Sequence, residues 1–180
     1  AATSNGIFKS YDIGKKWLQT GLNSHAIFNF ATSDSLIYAA TNKGLYLSNN
    51  KGLSWEIIYS ESVRNLLIQD NIIFIGTLSG ILKSTDNGEN WIYANSGINS
   101  LSLNSIIKYN DLIISTTFNN GLFSSIDNGK NWNDFNYPKE AKTLTQFLPF
   151  DNKFYCSSYE GIFVSNDGGN TWLEKNNGLP

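Results

Sequence analysis

Methionine is absent from these 180 residues, and cysteine, histidine and arginine occur once each, at Cys156, His25 and Arg64. A lone cysteine forms no intrachain disulfide, so a disulfide-stapled secreted scaffold is excluded. Its flanks, FYCSS, alternate as a strand does, and Cys156 reads as a buried structural thiol. His25 has no partner motif and reads as a solvated linker residue rather than a general base. With one arginine among 13 basic residues and a net charge of −2, no basic stripe for nucleic acid or an anionic membrane is present. No run of 18 apolar residues occurs, so no membrane-spanning helix is expected. The opening AATSNG lacks a charged n-region and an apolar h-region and reads as a mature or trimmed piece. Many asparagines are present but no N-x-[ST] acceptor, which argues against a glycosylated eukaryotic surface protein.

What the chain has instead is repetition. Five segments align: GIFKSYDIGKKW (6–17), GLYLSNNKGLSW (44–55), GILKSTDNGENW (80–91), GLFSSIDNGKNW (121–132) and GIFVSNDGGNTW (161–172). The common pattern is G-[IL]-[FYL]-x-S-x-[DN]-x-G-x-x-W. Its tryptophans, Trp17, Trp55, Trp91, Trp132 and Trp172, are all the tryptophans of the chain and stand 36 to 41 residues apart. Fixed-period similarity of this kind is the mark of a repeat architecture.

One period holds four short apolar or alternating runs, for example SIIKY, LIISTT, GLFSS and WNDFN, separated by Asn/Asp/Gly/Ser turn clusters. No window carries a helical period. Four short strands per period of about 40 residues predict an all-β chain of propeller blades. A blade has two faces to bury, which accounts for fully apolar runs such as NIIFIG and DLIIST beside alternating ones. The expected blades cover approximately 1–20, 25–59, 63–94, 105–136 and 143–175, in one domain or part of one. AAT at the start aligns with the end of a second strand (IYAAT, 37–41), and NNGLP at the end aligns with a linker (NSGIN, 95–99). The first blade is therefore expected to lack its innermost strand. The arc should belong to a larger propeller of six or more blades, or associate with further blades or another chain; a five-bladed ring with a short first blade is the competing reading.

The repeated box falls between the third and fourth strands. Its glycines permit the positive φ of a tight hairpin. Asp12, Asp86, Asp127 and Asp167, with Asn50 in the second box, are placed to accept backbone N–H groups inside the turn. Each tryptophan opens the fourth strand and is expected to be mostly buried between blades. The box residues thus read as structural. A calcium loop is the competing reading, but it needs a glutamate at its twelfth position, and counting from Asp86 reaches Gly97.

G-x-x-x-S-x-D-x-G-x-x-W resembles the Asp-box, or bacterial neuraminidase repeat, of the sialidase-like superfamily. That superfamily also includes xyloglucanases, sortilin-type receptors and photosystem II assembly factors. The resemblance covers nearly the whole chain. It implies a propeller whose boxes are structural, and it identifies architecture rather than activity.

In an antiparallel blade the second-to-third loops share a face with the blade-to-blade linkers, opposite the boxes. The resemblance implies that ligands use this linker face. Its loops are TSNG (3–6), TNKG (41–44), TLSG (77–80), TFNNG (117–121) and SYEG (158–161). Phe118 and Tyr159 put aromatic rings where a turn residue would suffice, and such rings are stacking platforms. With Asn119, Glu160 and Lys43 they form the candidate ligand-binding set. A sialidase-like enzyme implies an arginine triad gripping a carboxylate, which one arginine cannot supply. A xyloglucanase-like hydrolase requires two carboxylates across a cleft, and none stands out. No catalytic residue, metal or cofactor is expected. The reading is a secreted or cell-envelope binding propeller, bacterial, with a glycan or protein partner. A glycoside-hydrolase fragment or an assembly scaffold is the alternative.

Overall fold

The computed structural model describes residues 1–118 and 121–179. Among these there are strands and turns but no helix. The first sheet has three strands, β1 (Ala2–Thr3), β2 (Gly6–Lys9) and β3 (Leu18–Gly21). The second has four: β4 (Ile27–Ser33), β5 (Leu36–Thr41), β6 (Gly44–Ser48) and β7 (Glu56–Tyr59). The third comprises β8 (Asn65–Gln69), β9 (Ile72–Thr77), β10 (Gly80–Ser84) and β11 (Ile92–Tyr93). The fourth comprises β12 (Leu103–Tyr109), β13 (Leu112–Thr117), β14 (Gly121–Ser125) and β15 (Asn133–Phe135). The fifth comprises β16 (Leu144–Phe150), β17 (Lys153–Ser158), β18 (Gly161–Ser165) and β19 (Leu173–Glu174). Each sheet is a meander in chain order, so neighbours in sequence are neighbours in space.

Short-range chemistry sets the register. The first-to-second hairpins close with two residues, and Asp70–Asn71 and Asp151–Asn152 both adopt positive φ. That is the mirror-image turn whose twist matches the flanking strands, and Asn and Asp tolerate it. Outer-strand length varies for a visible reason. In the third and fifth sheets a side-chain amide takes over the ladder. Asn95 Oδ1 accepts the Ile81 N–H (2.7 Å) and its Nδ2 donates to the Ser79 carbonyl; Asn176 does the same to Ile162 (2.7 Å) and Glu160. These amides lie against Gly80 and Gly161, where any Cβ would collide with them. The fourth sheet keeps regular pairing as far as Leu122↔Phe135. Its Asn136 instead donates to the Gly169 and Asn170 carbonyls of the next repeated turn (2.7 and 2.8 Å).

The chain forms two compact units, Ala1–Leu78 with Leu82–Ile92, and Ser79–Ile81 with Tyr93 onward. The first unit buries Tyr38, Ala40, Leu45, Val63, Leu66, Ile73, Ile75 and Leu82 together, with a smaller cluster of Ile7, Ile27 and Ala39. The second buries Ile114, Leu122, Leu144, Phe147, Phe154, Cys156 and Phe163, with Tyr109, Phe135 and Trp172 packed against them. Its rings meet edge-on or tilted, Tyr109 and Phe147 each within 5.2 Å of Phe154, an arrangement that aromatic quadrupoles favour.

The tryptophans depart from uniform burial. Trp132 is 3% exposed, Trp55, Trp91 and Trp172 are half-buried, and Trp17 is 47% exposed. The physical reason lies in what each ring leans on. Trp91 packs on β7, its ring 5.5 Å from Tyr59 and its Nε1–H donating to the Ile58 carbonyl (3.2 Å). Trp132 donates to the Ala94 carbonyl (2.8 Å). For these two rings the receiving surface is the outer strand of the preceding sheet and the residue that follows it.

Candidate functional site

The repeated turn is a closed hydrogen-bond circuit. In the third repeat the Ser84 hydroxyl donates to Asp86 Oδ1 (2.7 Å) and accepts the Gly88 N–H (2.8 Å). Asp86 Oδ1 also accepts the Asn90 N–H (2.9 Å), and its Oδ2 accepts from Asn90 Nδ2 (2.8 Å). Ser125, Asp127, Gly129 and Asn131 repeat this geometry. Ser165, Asp167 and Gly169 do so with Thr171 supplying the hydroxyl. The serine is therefore a relay, accepting from the turn and donating to the carboxylate. Asn50 keeps the acceptor half: its Oδ1 takes the Ser48 hydroxyl and the Ser54 N–H, while its Nδ2 donates to Ser54 Oγ (2.7 Å). Polarity at the first position is matched four residues later.

These bonds hold the carboxylates ionised. The Ser84 hydroxyl, then the Asn90 N–H and amide, bring Asp86 down to about 2. The Thr171 hydroxyl leads the same effect at Asp167, also about 2. The Asn131 N–H leads at Asp127, which lies well below the usual carboxylate range. Asp12 is lowered chiefly by the Lys16 N–H and then by the Ser10 hydroxyl. Both carboxylate oxygens of Asp86, Asp127 and Asp167 accept hydrogen bonds within their turns, and among the described residues no group of three His, Cys, Asp or Glu is placed to hold a metal ion.

The loops and linkers meet where strand alternation puts them. The Phe118 N–H donates to the Ser102 carbonyl (2.8 Å), tying the loop after β13 to the preceding linker. The Lys142 N–H donates to Glu160 Oε2 (3.2 Å), tying the linker after β15 to the loop after β17. In the first unit, Ala26 N–H donates to Asn42 Oδ1 (2.9 Å) beside Lys43. In four of the loops a leading hydroxyl ties the loop together. Thr41 Oγ1 donates to the Gly44 carbonyl and accepts the Lys43 N–H; Ser158 Oγ accepts the Glu160 N–H. Thr3 and Thr117 donate to Gly6 and Gly121 in the same way. This staple was legible as the leading Thr or Ser of TSNG, TNKG, TFNNG and SYEG, and the sequence reading did not use it.

Of the candidate ligand residues, Tyr159 is 76% exposed and Phe118 is 42% exposed, both in the second unit. Glu160 is exposed but engaged, fastening its loop to the linker. Lys43 is exposed in the first unit. Asn119 lies outside the described residues. The sequence reading missed one surface of the second unit. The linker after β15 and the outer strand itself border a groove of about 500 Å³, lined by Asn99, Leu122, Asp134, Phe135, Tyr137 and Lys139. The Tyr137 ring lies against Gly121, where a Cβ would meet it. The Lys139 ammonium stands 4.1 Å over the ring centroid, an exposed pairing of about 0.5–1 kcal/mol. The only signal for it in the sequence was the aromatic-lysine linker YPKEAKT.

No protein-family model matches this sequence, and no curated protein matches it. Solved structures do. An ancestral GH74 enzyme aligns over 100% of this chain and 29% of its own, with 18% identity and a TM-score of 0.81. The extracellular domain of a one component system from B. thetaiotaomicron aligns over 96% of this chain and 25% of its own, with 19% identity and a TM-score of 0.79. YCF48 bound to D1 peptide aligns over 96% of this chain and 62% of its own, with 19% identity and a TM-score of 0.69. The chain thus spans less than a third of the first two. At these identities the likeness is one of fold. The fold is a β-propeller, built here from five blades of which the first has three strands. No helix among the described residues is long and apolar enough to cross a membrane.

Proposed function

We propose that this chain is a non-catalytic binding propeller of the Asp-box type, which recognises a glycan or protein partner through its linker-face loops. The carrying observation is Tyr159, a large ring 76% exposed at the tip of a loop held rigid by Ser158 and by the Glu160–Lys142 bond. A rigid loop presents a ring with little ordering entropy to lose, which is what a recognition platform needs. Phe118 gives the neighbouring blade a second such ring. The circuits of Ser, Asp and Gly support the Asp-box reading and give the boxes a structural role. The likeness to an extracellular domain and to a peptide-bound YCF48 supports a role in recognition and a secreted or cell-envelope location in a bacterium.

Capture of partners from bacterial envelope extract and binding to a glycan array, each with the protein and with Tyr159→Ala/Phe118→Ala, test this. The reading expects specific retention that the double variant loses while its thermal midpoint stays put. Retention unchanged in that variant would place recognition elsewhere. A second reading, a portion of a glycoside hydrolase, draws on the GH74 likeness. Release of reducing sugar from xyloglucan would favour it over the first.

A further inference from the structure

We infer that the groove beside β15 is a subsite for a neutral oligosaccharide, with Tyr137 as its stacking platform and Lys139 as a displaceable cover. The inference rests on the binding-propeller reading and deepens it by naming a ligand class and a place.

Four observations carry it. The groove's volume, about 500 Å³, falls in the range of about 300–1,000 Å³ typical of small-ligand sites. Its charged side chains are one carboxylate, Asp134, and one ammonium, Lys139. These cancel, so the groove selects neither an anion nor a cation by net charge. Its polar lining offers both senses of hydrogen bond: the Asp134 carboxylate accepts, and the Tyr137 hydroxyl both donates and accepts. A sugar hydroxyl donates and accepts at one atom, and a lining of this kind suits it. Finally, Tyr137 is anchored. Its ring rests on Gly121, so the platform is set before any ligand arrives. Lys139 is exposed and held over the ring by a weak cation–π contact, so it can swing aside without disturbing the fold.

A peptide adding as an extra strand is disfavoured at the same place. The strand on offer, β15, has three residues, carries Asp134 at its centre and is followed within three residues by Pro138. A short strand, a charge and a proline are the features that block edge pairing.

The test is calorimetric titration of the protein with cellohexaose, maltohexaose and chitohexaose, with 3′-sialyllactose as the acidic control. The variants are Tyr137→Ala, Tyr137→Phe, Lys139→Ala and Tyr159→Ala. The inference expects at least one neutral hexasaccharide to bind. Tyr137→Ala should weaken it at least tenfold, Tyr137→Phe should retain most of the affinity, and Lys139→Ala should tighten it several-fold because nothing then has to be displaced. Tyr137→Phe keeps the ring that rests on Gly121, so it separates loss of platform from loss of fold. Binding of sialyllactose alone, weakened by Lys139→Ala, would make the groove an anion site and overturn the inference. Sugar binding that depends on Tyr159 and ignores Tyr137 would also overturn it and leave the binding-propeller reading intact. No neutral sugar binding, alongside partner capture that depends on Tyr159, would have the same consequence.

Discussion

The indole N–H of Trp132 donates to the carbonyl of Ala94 across 2.8 Å, and Ala94 stands three positions after Trp91, the tryptophan of the preceding repeat. Trp91 finds its own acceptor, Ile58, three positions after Trp55. One tryptophan thus marks the strand that receives the next one. Trp55 and Trp172 break the rule: Trp55 Nε1 is buried without a partner, and the Trp172 indole N–H donates to the Gly169 carbonyl of its own turn (3.1 Å). The residue three after Trp17 is Thr20, and Trp55 instead crowds the neighbouring Gly21, leaving a Cβ there no room.

Burial and bonding therefore rank the tryptophans. Trp132→Ala should destabilise by about 3–5 kcal/mol, as removal of a buried ring does. Trp17→Ala should have a much smaller effect, since that ring is 47% exposed. Guanidinium midpoints of the two variants, compared at equal denaturant slope, check the ranking; equal losses would refute it.

The acid limb of stability should come from the repeated turns. Asp86 and Asp167 sit at about 2, against 3.8 for the ordinary side chain. Both are depressed in the folded state, so the unfolded chain binds more protons as the pH falls. The contribution is complete above about pH 4 and is lost progressively from there toward about 2. The carboxylates are solvent-exposed, so the effect should shrink with added salt. Thermal midpoints from pH 6 to 2 at two ionic strengths test this. A midpoint flat through that window would remove the turns as its source.

Position 86 and position 90 should exchange polarity only together. Asp86→Asn turns an acceptor into an amide N–H that faces the Asn90 amide donor, so the single variant should lower the midpoint. Asp86→Asn/Asn90→Ser recreates the arrangement of Asn50 and Ser54 and should recover most of the loss. It should also flatten the acid limb, because one titrating group is gone. A double-mutant cycle measures the coupling; additive losses would show that the two positions act independently.

The architecture was legible because each repeat carries its own punctuation. Asp70–Asn71 and Asp151–Asn152 fix hairpins, Gly88 allows the turn, and a tryptophan follows. Those are local effects, and five copies reinforce them. What was not legible depended on pairs distant in sequence. Whether Asn95 caps Ile81 or Asn136 reaches Gly169 turns on how far an outer strand pairs, and the two asparagines look alike in the chain. Trp17 looks like Trp132 for the same reason, although one is exposed and the other buried. The candidate rings Phe118 and Tyr159 stand exposed as loop residues should. The groove beside Tyr137 was hidden because it joins a strand, a linker and Asn99 from a different linker.

Cys156 offers a probe of the second unit's core. It packs with Phe147, Phe154 and Phe163, and burial pushes its thiol up to about 12 from 9.0. Only the thiolate alkylates rapidly, so native protein at pH 8 should react with iodoacetamide far more slowly than unfolded protein. Labelling then reports opening of this core, and its rate should rise with denaturant. The same shift makes a second forecast. The unfolded thiol ionises near 9 and the folded thiol near 12, so the unfolded chain loses its proton first and stability should decline as pH climbs through that interval. Cys156→Ala removes the titrating group and should abolish that part of the alkaline decline, with only a small loss at pH 7. Native labelling as fast as that of a free thiol would show that the core around Phe147 and Phe154 opens readily, contrary to the packing seen here.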